Sequence, residues 1–300
     1  MHRAPRLLLA FLLGTGVITV EPAVRLMAYS AGDSPDKTRK PTLKPAVATA
    51  PDIPFDDFDF QAEQQLLELA NQSRAHAGAH SLTMDFGLSR AARIHAQAML
   101  EAGRLSHQFD GEPSLAQRLA AATRLQLEQE GENVAFDSNA EQGHQHLMLS
   151  PPHRANLLNP AYNVVGLGAV RDGERLYIVE DFGHALPNYS PAEVKDRVAA
   201  AINQMRRQAN QPKLQRRDLL VAADAACSMA QADKLGTSPT HQLAQRYTVL
   251  TYTSLHPGTL PAGVTHAIAR HYLHSFSVGA CYARTETYPT GVYWIVLTLN

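Results

Sequence analysis

The segments "NVVGLGAV" (163–170) and "RLYIVEDF" (175–182) are two apolar runs either side of Asp172-Gly173. Runs of this length, rich in Val, Leu, Ile and Tyr and joined through an Asp-Gly turn, read as a β-hairpin. Gly166 and Gly168 interrupt the first strand. Glycines inside a strand point to close packing of another backbone rather than to a phosphate loop. An antiparallel sheet is therefore the centre of the fold, and the flanking sequence must supply what packs on it.

Upstream, Leu66, Leu69, Ala70, Ser73 and Ala77 recur at helical spacing, and Gly78 ends the pattern. Leu88, Ala91, Ala92, His95, Ala98, Met99 and Ala102 form a second stripe over 85–102, with Gly103 as the stop. A third helix is expected over 139–149, ending at Pro151. Downstream, Tyr189-Ser190-Pro191 opens another, with Val194, Val198, Ala201, Ile202 and Met205 on its apolar face. Helices set against a small, mainly antiparallel sheet define an α+β class.

The second half echoes the first. "NQSRAHAGAHSL" from Asn71 matches "NQMRRQANQPKL" from Asn203, so at an offset of 132 Arg74 meets Arg206, Leu82 meets Leu214 and Leu88 meets Leu220. His95 takes the place of Cys227 and is expected to be a hydrogen-bonded core residue. Later, "VVGLGAV" resembles "SVGACYA", where Gly166 meets Gly279 at an offset of 113. Two tandem copies are expected, at 60–187 and 188–300, the second about 19 residues shorter between its helices and its hairpin.

The 300 residues carry 27 basic and 28 acidic side chains, a balance that argues against a nucleic-acid partner. His2, Arg3 and Arg6 precede an apolar run at 7–20, and "AYS" at 28–30 offers a cleavage site. Residues 1–30 thus read as a signal peptide, or as an uncleaved anchor that would be the chain's sole membrane contact. The proline-rich stretch 31–59 reads as a solvated linker. Export to an oxidising compartment would favour a bridge between Cys227 and Cys281; two buried thiols are the alternative.

The 19 residues missing from the second copy fall where the first carries Ser106-His107, "GEN" (131–133) and Ser150-Pro-Pro-His153-Arg154. A polar set present in one copy and absent from the other is not required by the scaffold. Two imidazoles and a carboxylate suit Zn²⁺ or a similar divalent ion. Spacing alone does not single out His107, Glu132 and His153 among 14 histidines.

Resemblance does. "NQSRAHAGAHSL", "LSRAARIHAQAM", "LSH", "GENVAF", "SPPHRANLL", "VVGLGAV" and "YIVEDFG" follow one another over 62–184 as in the CAP superfamily, the cysteine-rich secretory, antigen 5 and pathogenesis-related proteins, and most resemble its bacterial SCP-like extracellular form. The resemblance implies an α-β-α sandwich with two His and acidic residues in a central cleft, positions that carry over to His107, Glu132 and His153. A further acidic residue of animal and plant members falls here near Ser150, with Glu141 or Glu180 as substitutes. Pro152 stands where bacterial members have Gly.

The implied protein is secreted or envelope-associated, with a metal cleft that binds an extracytoplasmic ligand, lipid or envelope component. Two other readings stay open. One is a metal-assisted hydrolase using Glu132 as ligand or general base. The other is lipid or sterol capture without metal.

Overall fold

Two close contacts decide how the first sheet meets its helix. A Cβ on Gly166 would lie 2.1 Å from the Leu88 carbonyl carbon, and one on Gly168 would lie 2.4 Å from that of Ala92. A helix backbone therefore rests directly on the hairpin, as the strand glycines predict. The computed structural model describes residues 58–300 and the backbone of strand β1 (Leu26–Tyr29). The apolar run at 7–20 and nearly all of the linker lie outside the described residues.

The first unit comprises α1 (Phe60–His76), β2 (Thr83–Met84), α2 (Phe86–Ala102), α3 (Leu115–Ala122), β3 (Gln126–Asp137), α4 (Ala140–Leu149), α5 (Pro151–Leu157), β4 (Val164–Asp172) and β5 (Arg175–Leu186). The strand order is β2-β4-β5-β3, with β2 parallel to β4 and the other pairs antiparallel. The alternation of strand side chains divides the core into two sides. Val165, Leu167, Ala169 and Ile178 pack against Leu66 and Ala70 of α1 and Leu147 of α4. Val170, Tyr177 and Val179 pack against Ala92, Ala96 and Met99 of α2. Three layers result: helices, sheet, helices.

Local chemistry sets the helix ends. Asp59 and Asp85 accept the Ala62 and Leu88 N–H groups, each at 2.9 Å, at the starts of α1 and α2. Gly103, with φ of 62°, closes α2 in the left-handed region. Pro151 does stop α4, but Pro151 and Pro152 also occupy the first turn of α5. A proline at that point loses no helical hydrogen bond. His153 is thus held on a helix.

The second unit comprises α6 (Pro191–Gln208), β6 (Gln215–Arg216), α7 (Leu220–Gln231), α8 (Ser238–Ala244), β7 (Thr248–Ser254), α9 (Ala262–Ile268), β8 (Ser275–Ala283) and β9 (Val292–Leu299). Its order is β6-β8-β9-β7, with β6 parallel to β8, and β1 pairs along β7. Its layers are likewise split: Val194, Val198 and Ile202 of α6 lie on one side, and Ala222, Ala226 and Met229 of α7 on the other.

Two anchors correspond between the units. Fully buried Arg74 donates to the carbonyls of His80, Leu157, Asn159 and Tyr162. Arg206, equally buried, donates to those of Pro212, Ile268 and Arg270. Gly279 meets the Ala222 backbone as Gly166 meets that of Leu88.

That second anchor corrects the sequence alignment. Leu88 corresponds to Ala222, not Leu220, which is 84% exposed. By the same two-residue shift Cys227 stands opposite Arg93 rather than His95. Cys227 forms a disulfide with Cys281, joining α7 to β8 with Cα atoms 5.1 Å apart.

Candidate functional site

The antiparallel register of β3 and β5 builds the site. It places Glu132 opposite Asp181 and Asn133 opposite Glu180. Adjacent strand residues point to opposite faces, so Glu132 and Asp181 turn toward α2 and α3. Asn133 and Glu180 turn toward α5. Asn133 Nδ2 donates to Glu180 Oε2 (3.0 Å) and to the His153 carbonyl (3.1 Å). Asn156 Nδ2 donates to the Glu132 carbonyl and to Asn133 Oδ1. The "GEN" strand and the proline-led helix are thereby locked together.

Glu132 is 4% exposed, yet it is heavily solvated by protein. His107 Nδ1 lies 2.9 Å from its Oε1, and Arg118 Nη2 donates to its Oε2 at 2.7 Å. Arg118 Nη2 also donates to the His107 carbonyl. Behind them His95 is fully buried, with Nδ1 2.7 Å from Glu112 Oε1 and Nε2 2.8 Å from the Ser106 carbonyl. The expected core role for His95 holds, and its partners also steady the loop that carries His107.

Electrostatics sort the carboxyls. Burial acts to raise the pKa of Glu132, but the His107 hydrogen bond and the Arg118 and His95 charges together hold it below the ordinary value. Burial raises Asp181 well above its ordinary value, and the Glu132 charge adds to the shift. Burial pushes Glu130 up to about 7, partly opposed by Arg118. It also pushes Glu180 up to about 7, partly opposed by the Asn133 hydrogen bond. One ionised carboxylate thus sits beside carboxyls that burial favours in the protonated state.

His107 and Glu132 are therefore in direct contact, with the His107 side chain 52% exposed at the mouth. The imidazole of His153 is half-buried, and its pKa is lowered by burial and by the nearby charge of His107. Among the candidates for a fourth residue, Glu180 adjoins the site through Asn133. Glu141 is exposed and receives the Gln65 amide across α1 and α4, away from the cleft. Ser150 caps α5 without a side-chain cap bond. Arg118, Glu112, Glu130 and Asp181 were not singled out from sequence, although paired acids in apolar strands ("EGE" at 130–132, "ED" at 180–181) were a readable sign of a buried polar cluster.

Both oxygens of Glu132 are engaged, one by His107 and one by Arg118. Among the described residues no group of three or more His, Cys, Asp or Glu side chains is arranged to hold a metal ion.

The family model of the cysteine-rich secretory protein family, CAP, matches residues 67–182. That segment, spanning the first sheet and its cleft, is therefore similar to a CAP domain. The chain is 27% identical over 158 residues to the uncharacterized protein YkwD of Bacillus subtilis (strain 168), covering 52% of this chain and 60% of YkwD. An extracellular protein containing an SCP domain from Bacillus anthracis str. Ames is 26% identical, with 42% of this chain and 41% of that one covered and a TM-score of 0.39. An outer surface protein of Borrelia burgdorferi is 18% identical, with 43% of this chain and 98% of that one covered and a TM-score of 0.40. Among the described residues no helix is long and apolar enough to cross a membrane.

Proposed function

We propose that the protein acts outside the cytoplasm and that its CAP-domain cleft, rimmed by His107 and His153, binds an extracytoplasmic ligand or envelope component. The observation that carries this is the His107–Glu132–Arg118 chain. A buried, ionised carboxylate orients a half-exposed imidazole, at a cost in desolvation that the fold does not require. The names of the extracellular and outer-surface relatives support the location.

A divalent ion such as Zn²⁺ would be held by His107 and His153, with Glu132 orienting His107 rather than ligating. Its chemistry there would be Lewis acidity toward a bound ligand. The second unit is proposed to be a CAP-like copy without the cleft. In its β7–β9 register Thr251, Tyr252, Ile295 and Val296 stand where Glu132, Asn133, Glu180 and Asp181 stand in the first. Hydrolysis with Glu132 as general base is the less favoured reading, because both of its oxygens are already held, one by His107 and one by Arg118.

Calorimetric Zn²⁺ titration tests the cleft. His107→Ala and His153→Ala should each weaken binding at least about tenfold, and Glu132→Gln should weaken it less. Equal affinity in wild type and both histidine variants would end the two-imidazole reading.

A further inference from the structure

The second unit holds a cavity of about 700 Å³ between α9, β7 and the end of β9. Its lining differs from the matching part of the first unit. There Tyr162 occupies the corresponding position. Its Oη donates to the Glu130 carbonyl at 3.1 Å, its ring stacks on Phe182, and it lies so close over Gly131 that a Cβ would meet Oη at 2.4 Å. Asn156 closes the gap beside it.

The arginine anchors identify the matching residues. Arg74 binds the carbonyls of Leu157 and Asn159, and Arg206 those of Ile268 and Arg270. The same turn follows each, with Tyr162 N–H donating to Asn159 and Leu273 N–H to Arg270. Leu273 thus stands for Tyr162, and Ala267 for Asn156. Both line the cavity, and so does Leu250, which stands for Gly131, so two leucines and an alanine form the floor where the first unit has a tyrosine, a glycine and an asparagine.

Two arginine side chains lie at the cavity's edge. Arg246, His266 and Arg270 line it, and no Asp or Glu does. Leu250, Ala267, Leu273 and Leu299 give an apolar floor, and Tyr247 and Tyr272 add ring faces. Arg270 Nη1 donates to Tyr272 Oη at 2.9 Å, so one cation is already held by the wall. The main-chain oxygen of Asn300, at the edge, is occupied by the His274 and Ser275 N–H groups. A pocket of roughly 300–1,000 Å³ with an apolar floor and a few convergent polar groups is of ligand size.

The geometry points to a second binding site, in the unit that lacks the histidine cleft, for a small acidic ligand: a phosphate ester or carboxylate carrying a compact ring or apolar group. Arg246 and Arg270 bind the anion, and the Leu and Tyr surfaces bind its body. The site stands independently of the metal reading of the first cleft.

Calorimetry on the full chain with phenyl phosphate tests it, with inorganic phosphate and benzylammonium as controls. Phenyl phosphate should bind saturably and at least about tenfold more tightly than either control. The surface double variant Arg246→Gln/Arg270→Gln should weaken it at least about tenfold. His107→Ala should leave it unchanged. Equal binding of benzylammonium, or undiminished binding in the double variant, overturns the proposal.

Discussion

Glu180 shows how much a single buried carboxyl shapes the cleft. It is wholly inaccessible, with only the Asn133 amide donating to it. Its pKa is about 7 in the fold against an ordinary 4.5, so the folded chain holds this proton over a window in which the unfolded chain has released it. Its contribution to stability is therefore fully present below about pH 4.5 and is lost as pH rises toward 7 and beyond, by on the order of 3 kcal/mol. Glu180→Gln should match wild type near pH 4, apart from a constant offset, and gain about that amount on it near pH 8. Urea unfolding of both proteins at the two pH values measures the change, and an identical difference at both would show that the group titrates as in water. Glu132 works in the opposite sense, because its lowered pKa contributes stability that is lost on acidification. The three residues His107, Glu132 and His153 could be named from sequence because short motifs surround them. Arg118 and Glu112 could not, since they join the site only where α3 and the loop before it fold against β3, and no local pattern records that approach.

Helices and strands were the more legible level. The periodic stripes mark α1 and α2 because each buries one face, and Gly103 marks an end because a left-handed residue is needed there. The two-residue error in matching Leu88 to Leu220 arose where alanine-rich helices offer several equivalent registers; only contact with Gly279 selects one. That contact also yields a prediction. Gly166→Ala would place a methyl 2.1 Å from the Leu88 carbonyl carbon, and a helix backbone cannot yield as a side-chain tip can. We expect a loss of about 3 kcal/mol or more, above most overpacking changes, while Gly173→Ala at the hairpin tip, which meets nothing within 4 Å, should cost about 1 kcal/mol through its φ of 58°. Chemical denaturation of the two variants compares a packing glycine with a conformational one. Equal losses would contradict the close α2–β4 approach.

At the scale of the whole molecule, the two units meet across a polar seam. Arg284 donates to the carbonyls of Ala120, Thr123 and Leu125, and Thr290 Oγ1 donates to that of Leu127. Beside them Glu128, at a bulge in β3, bridges His184 of the first unit and His256 of the second, at 3.0 and 2.5 Å. Such contacts position the units, and among the described residues no cluster of buried hydrophobic residues joins both. The units should therefore unfold with partial independence, and a change confined to one should move its own transition most. The disulfide supplies that change, since Cys227 and Cys281 are 54 residues apart within the second unit. Releasing a loop of that length restores chain entropy to the unfolded state worth about 4 kcal/mol. In scanning calorimetry, Cys227→Ser/Cys281→Ser should lower the melting of the second unit and leave that of the first nearly in place, so that one envelope splits into two. Reductant added to the wild type should do the same. A single transition displaced as a whole would mean that Arg284 and the His184–Glu128–His256 bridge couple the units far more tightly than exposed polar contacts ordinarily do.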